Sequence, residues 1–142
     1  MLAHASCIAI DGNAILLRGP SGSGKSDLAL RLIDDGAALV ADDQVLLEAA
    51  RLETGEVCLM ASAPAALSGL MEVRGIGIVR CAAAVSAAVR LVIDLDAAAT
   101  IKRMPDPATC TLLGVDLPCF TLNPFEASAS AKLRMALEHI PT

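Results

Sequence analysis

Short apolar runs separated by turn residues dominate the chain, a spacing that predicts strands in most places and helices in two. Residues 6–10 and 14–17 are two such runs joined by Asp11-Gly12-Asn13, which predicts a hairpin. From residue 25 to 35 the period changes. Leu28, Ala29, Leu32 and Ile33 fall on one helical face, and Gly36 stands where a left-handed residue would close the helix. Residues 37–41 are wholly apolar and end on Asp42 and Asp43, the pattern of a buried strand with carboxylates at its C-terminal end. Further strands are expected over 45–48, 57–61 and 91–95, with a pair over 110–113 and 119–122 around Gly114-Val115-Asp116. Residues 64–70 read ambiguously and 104–107 as a loop. In MEVRGIGIV, residues 71–79, polar and apolar positions alternate around two glycines, so Glu72 and Arg74 would share a strand face. A closing helix would take Asn123 as N-cap, Pro124 at its first position and Glu126 at its third, and bury Leu133, Ala136, Leu137 and Ile140. Together these elements predict a single α/β domain over residues 1–142, strand-rich in its middle and closed by a C-terminal helix.

Composition sharpens this picture. Hydrophobic residues make up 55% of the chain, yet it has no Trp or Tyr and only Phe120 and Phe125, so aliphatic side chains must fill the core. The net charge of -5 and the absence of a basic run argue against nucleic acid as a partner. The most apolar stretch, 81–100, is interrupted by Arg90, Asp94 and Asp96, whose burial in a bilayer would cost several kcal/mol. No Lys or Arg precedes the first apolar run, so no signal peptide is expected. The five cysteines are widely spaced and, with only His4 and His139, match no zinc spacing. They read as reduced, mostly buried thiols of a cytoplasmic protein without a membrane anchor. So apolar a small chain is expected to self-associate.

The chemistry begins at residues 19–26. Gly19, Pro20, Ser21, Gly22, Ser23, Gly24, Lys25 and Ser26 match G-x-x-x-x-G-K-[ST] in full, between a predicted strand and a predicted helix. Glycines let backbone N–H groups converge on a polyphosphate, and the helix N-terminus adds a favourable dipole. Lys25 supplies a charge for the β- and γ-phosphates and Ser26 a hydroxyl for Mg²⁺, so ATP and Mg²⁺ are the expected ligands. Asp42 and Asp43 follow the next apolar strand, where a second metal contact or a base for an incoming hydroxyl would sit. Against this stands an ordinary solvated Asp-Asp turn. Glu72 and Arg74 read equally well as metal and phosphate contacts or as an exposed ion pair of little worth. Alone, His4 and Arg103 are ordinary surface residues.

Five segments in order change that. His4-Ala-Ser-Cys, GPSGSGKSDLAL from Gly19, LVADD from Leu39, MEVRGIGIV from Met71 and KRMP from Lys102 together resemble the catalytic domain of HPr kinase/phosphorylase, which acts on a serine of the phosphocarrier protein HPr. The resemblance covers roughly residues 4–104, and MEVRGIGIV is its most discriminating part. It implies a P-loop-containing core akin to phosphoenolpyruvate carboxykinase, ATP and Mg²⁺ as ligands, HPr or an HPr-like protein as partner, and homo-oligomeric, often hexameric, assembly. By the same resemblance Asp43 is the catalytic carboxylate, with His4, Lys25 and Arg103 also catalytic. Ser26 and Glu72 match Mg²⁺ ligands and Arg74 joins the site, while Asp42 is expected as a further metal ligand from its place after the strand. Longer members carry an N-terminal domain, and this chain looks like a short proteobacterial form. The family's basic loop near the last helix, associated with dephosphorylation, is replaced by residues 121–130 without an Arg, which bears on the phosphorolytic half of the implied activity. Two rivals remain. One is a small-molecule kinase, which would need an Arg-rich lid where only Arg74, Arg80 and Arg103 occur. The other is a nucleotide-sensing module without transfer.

Overall fold

The computed structural model describes residues 1–98 and 100–140. A two-residue strand, β1 (Leu2–Ala3), leads into the hairpin of β2 (Ala5–Ile10) and β3 (Asn13–Arg18). Asp11 and Gly12 both sit at positive φ, 50° and 79°, as a tight turn between twisted antiparallel strands requires. After the glycine-rich loop comes α1 (Lys25–Asp34). It stops where expected: at Gly36, φ 105°, the amide donates to the Ile33 carbonyl, and the Ala37 amide donates to that of Leu32. Then follow β4 (Ala38–Ala41), β5 (Val45–Arg51), β6 (Val57–Ser62), a single 3-10 turn (Ala65–Leu67), β7 (Leu70–Val73) and β8 (Gly77–Arg80). β9 (Ser86–Leu95), β10 (Ala108–Leu112), β11 (Val115–Leu122) and α2 (Ala129–Glu138) complete the chain.

The main sheet runs β1-β5-β6-β9-β3-β2-β4, with β10 and β11 attached through β11 to β9. The long strand β9 makes this possible. Its first half pairs antiparallel with β6 (Met60↔Ala88), and its second half pairs parallel with β11 (Val92↔Cys119). Its other edge pairs parallel with β3 (Leu16↔Val92). β7 and β8 form a separate antiparallel hairpin.

Alternation along the strands divides the core in two. Ile8, Ile15, Leu17, Leu39, Leu91 and Ile93 face α1 and α2, where Leu28, Leu32 and Leu133 meet them. Cys7, Leu16, Val40, Val45, Leu59 and Val92 face the other way and pack with Leu117 beneath the strands that curl over them. Because both faces are covered, the central strands read as continuous apolar runs rather than alternating ones.

Four expectations need correcting. β9 begins at Ser86, well before residue 91, because Ala87 and Val89 are buried against neighbouring strands, although alanine is a poor strand signal by itself. MEVRGIGIV is a hairpin rather than one strand: Gly75 lies at φ 87° in its turn, so Glu72 stays on β7 while Arg74 enters the turn, and the two do not share a strand face. The last helix begins at Ala129 rather than at Pro124, with Ser128 at the N-cap position making no side-chain capping hydrogen bond. Arg31 on α1 donates to the carbonyls of Pro124 and Glu126, so residues 123–128 serve as an irregular anchor on the glycine-rich loop's helix instead of a first helical turn. Finally, Cys7 alone among the cysteines is fully buried, although all five are free.

Burial pushes the Cys7 thiol up to about 12. The Cys119 thiol is also pushed up to about 12, first by burial and then by its hydrogen bond to the Asp94 carboxylate at 3.2 Å. Since the thiolate is the reactive form, iodoacetamide at mildly alkaline pH is expected to alkylate Cys7 and Cys119 far more slowly in the native protein than in the unfolded one. Peptide mapping of a time course in each state checks this, and native Cys119 modified as fast as in the unfolded chain would contradict it.

Candidate functional site

The pieces of the site gather at one edge of the sheet. β3 ends at Arg18, where the glycine-rich loop departs. β2 is antiparallel to β3 (Ala5↔Arg18), and β4 is antiparallel to β2 (Cys7↔Ala41). His4 before β2 and Asp42 and Asp43 after β4 therefore arrive at the same edge as the loop. This is the C-terminal side of the parallel strands β3, β9 and β11, where ligands of open α/β sheets sit. Across the strand ends, Arg18 donates to Asp94 through Nε (2.8 Å) and Nη2 (3.0 Å). That hydrogen-bonded carboxylate holds the guanidinium above its ordinary pKa and ties β3 to β9 where the loop begins.

The loop is wound tightly. The Ser23 amide donates to the Pro20 carbonyl at 3.0 Å, and Gly22 and Gly24 lie at φ 81° and 96°. A Cβ on Gly24 would stand 3.0 Å from the Pro124 ring, so only glycine lets residues 124–125 pack here. α1 starts directly after Gly24 with no side-chain cap on its first-turn N–H groups, an arrangement suited to an anion. Lys25 is buried, and its ammonium donates to the carbonyls of Gly19 (2.7 Å) and Pro20 (3.2 Å). An ammonium has three donors, which leaves one for a phosphate.

Asp42 and Asp43 lie in the bend after β4, not on the strand, and they do separate things. Asp42 accepts from the Ser26 hydroxyl at 2.7 Å and the Ser6 hydroxyl at 3.2 Å through one oxygen, and from the Glu72 amide at 3.3 Å through the other. Asp43 sits at φ 67°, a left-handed conformation unusual for any residue but glycine, and meets His4 Nε2 at 3.3 Å. The side chains of His4 and Asp43 are both more than half exposed, so an incoming hydroxyl can reach them. Ser6 ties the Asp42 carboxylate to the Asp43 backbone: fully buried in β2, it donates to Asp42 and its oxygen accepts the Asp43 amide at 3.2 Å.

A cleft of about 750 Å³ opens here. Ser21, Gly22, Gly24, Lys25 and Ser26 form one wall, with Asp42 and Asp43 beside them. Glu72, Arg74 and Ile76 of the β7–β8 hairpin also line it, Glu72 next to Asp42 and Arg74 from the turn. Gly19, Pro20 and Ser23 shape the loop from behind. Arg103 is the exception. It lies on the exposed segment between β9 and β10, does not line the cleft, and makes none of the described ion pairs or side-chain hydrogen bonds.

The oxygens of Ser26, Asp42 and Glu72 are the hard donors that Mg²⁺ takes. Among the described residues no three carboxylate, thiol or imidazole groups converge to cage a metal. A cation here would complete its shell with phosphate oxygens and water, as Mg²⁺ bound beside nucleotide does. Sequence reading overlooked Ser6, whose signal was a polar residue in a buried apolar run. It also overlooked the Arg18–Asp94 tie and the placement of Phe125 beside the loop.

The model of a family described as HPr Serine kinase C-terminal domain matches residues 1–128. HPr kinase/phosphorylase from an Exiguobacterium species is 43% identical over 76 residues, covering 54% of this chain and 23% of that protein. HPr kinase/phosphorylase from Chlorobium phaeobacteroides is 34% identical over 130 residues, covering 84% of this chain and 37% of that protein. The chain thus spans less than half the length of these relatives. The solved structure of the Hpr(Ser) kinase/phosphatase from Coxiella burnetii superposes with a TM-score of 0.76 at 27% identity, covering 97% of this chain and 93% of that one.

Proposed function

The chain belongs to the HPr serine kinase C-terminal domain family, and on that premise we propose that it transfers the γ-phosphoryl group of Mg²⁺-bound ATP to a serine of HPr or an HPr-like phosphocarrier. The observation that carries this reading is the joint placement of Lys25, Ser26 and Asp42 on one side and the Asp43–His4 pair on the other, around one open cleft.

In this reading the loop amides and Lys25 hold the β- and γ-phosphates, and Arg74 approaches from the hairpin. Ser26, Asp42 and Glu72 would hold Mg²⁺, which supplies charge neutralisation between the phosphates. Asp43 takes the proton of the acceptor serine as its oxygen bonds to the γ-phosphorus. The bond from that phosphorus to the β-phosphate oxygen breaks, and ADP leaves. His4 orients Asp43 and offers the proton an onward path. Run with inorganic phosphate as the attacking group on phosphoserine, the same residues support phosphorolysis: Asp43 returns the proton to the serine oxygen and pyrophosphate leaves. The continuous sheet supports reading residues 1–142 as one catalytic domain. Ile76, Ile78, Val85 and Met104, all strongly exposed, favour homo-oligomeric assembly, with a hexamer the arrangement that the family resemblance suggests. Among the described residues no helix is long and apolar enough to cross a membrane, which is compatible with a cytoplasmic site of action.

The test is transfer of labelled γ-phosphate to HPr and to HPr with its acceptor serine changed to alanine. Label on the first alone supports the proposal. ATP binding without label on either would favour the nucleotide sensor.

Ser6 gives a sharper prediction because it touches neither phosphate nor acceptor. Ser6→Ala leaves the Asp43 amide without its partner and frees Asp42 to tilt. It is expected to lower kcat by about tenfold while leaving KM for ATP nearly unchanged, since misplacing a reacting group costs rate more than binding. Ser6→Thr should recover much of the loss. Steady-state kinetics at several ATP concentrations separates the two constants, and an effect confined to KM would contradict a positioning role.

A further inference from the structure

On the far side of the loop from Asp42 and Asp43 lies a second hollow, of about 320 Å³. Pro20, Gly22, Ser23, Leu95, Asp96 and Phe125 are among its walls. Strand order fixes its place. β4 and β2 lie to one side of β3, and β9 and β11 to the other, so the edge reads in sequence: carboxylates, glycine-rich loop, Asp96 after β9, Phe125 after β11. With the terminal phosphate of a nucleotide beside Asp42 and Asp43, this hollow is the next space along the edge for its other end.

The chemistry of the hollow suits the uncharged end of a nucleotide. Its lining holds the Asp96 carboxylate and no Lys or Arg, which disfavours phosphate. Asp96 is itself held in place: Oδ1 accepts the Ala98 amide at 2.9 Å and the backbone amide donates to the Leu122 carbonyl at 3.0 Å. Phe125 lines both this hollow and the phosphate cleft, and is therefore at their divide. It is 62% exposed, in a chain with only two aromatic residues. An exposed phenylalanine is ordinarily mobile, but this one is braced. Its amide donates to Asn123 Oδ1 at 3.0 Å, Arg31 grips the preceding Pro124 carbonyl, and the ring lies against Gly24.

Resting on the ATP-dependent reading of the same site, we infer that Phe125 is the stacking surface for the nucleobase, with the hollow at Leu95 and Asp96 receiving the nucleoside of a purine nucleoside triphosphate. The brace holds the ring in place before the base arrives, so little ordering entropy opposes stacking.

The experiment compares ATP with inorganic tripolyphosphate, each with magnesium, by calorimetry. Wild-type protein should bind ATP about tenfold more tightly than tripolyphosphate, the range of one base–aromatic stack. Phe125→Ala should lose about that factor for ATP and keep its tripolyphosphate affinity. Phe125→Trp introduces the only tryptophan in the chain, and its fluorescence should be quenched by ATP and not by tripolyphosphate. If Phe125→Ala weakens both ligands equally or neither, or if both quench the tryptophan alike, the stacking assignment is overturned. Tripolyphosphate binding that disappears with Lys25→Met tests the phosphate loop independently. Failure there overturns the ATP reading and the stacking assignment together, whereas success there with an unchanged Phe125→Ala overturns the stacking assignment alone.

Discussion

Lys25→Met is expected to lower phosphoryl transfer by about a hundredfold to a thousandfold, the cost of removing one preorganised donor from a developing oxyanion. Methionine keeps an unbranched apolar stem in a position that is only 5% exposed, so the packing beneath α1 is largely preserved. What goes is the charge and the two hydrogen bonds to the Gly19 and Pro20 carbonyls. In the proposed mechanism the ammonium has two tasks, shaping the loop, where it meets the Gly19 and Pro20 carbonyls, and meeting the phosphates. Both fail together, so ATP affinity should fall along with the rate. Transfer assays, an ATP titration and a thermal melt on the same preparation check this. A protein of unchanged melting temperature that still transfers at the wild-type rate would contradict the role given to the loop.

Asp43→Asn is expected to behave differently. Asparagine fills the same space and is tolerated in the left-handed conformation that residue 43 adopts at φ 67°, so the backbone should hold. The contact with His4 can persist as a hydrogen bond. The capacity to accept the serine proton is lost, and general-base catalysis of this kind contributes about a hundredfold to ten-thousandfold. The expected result is a fall in kcat of that size with ATP affinity retained, or improved by removal of a negative charge near the phosphates. Equal losses in binding and rate would instead make Asp43 a structural or metal-binding group. A wild-type rate would remove it from the chemistry.

The contrast between Asp42 and Asp43 shows how far the sequence carries. Two carboxylates after a buried strand, close behind a phosphate loop, announce a site. On a strand, alternation would turn the two neighbours to opposite faces. The division instead arises in a bend, where the left-handed backbone at Asp43 turns one side chain to Ser26 and the other to His4. Backbone reversal of this kind has no composition signal when glycine is absent. The β2–β3 hairpin and the end of α1 were legible because Asp11-Gly12 and Gly36 carry their conformations in their residue types. The start of α2 was misjudged for the opposite reason. Asn123, Pro124 and Glu126 satisfy every local rule for a helix start, but Arg31, distant in sequence, takes the carbonyls of Pro124 and Glu126. Ser6 and Phe125 were overlooked for the same cause: their meaning depends on β4 and the loop, which only the folded sheet brings beside them. Arg103 is placed by the structure on the exposed segment between β9 and β10, outside the lining of the cleft.

The most direct measurement is a single turnover in which protein in excess over ATP, with magnesium, is mixed with HPr, and ADP and serine-phosphorylated HPr are followed together by quenched flow. The account predicts that the two products rise at the same rate and in equal amount. It also predicts that Asp43→Asn slows both while Lys25→Met lowers the amount of ATP bound at the start. ADP appearing with free phosphate and no phosphorylated HPr, or ATP remaining intact in a fully loaded cleft, would contradict it.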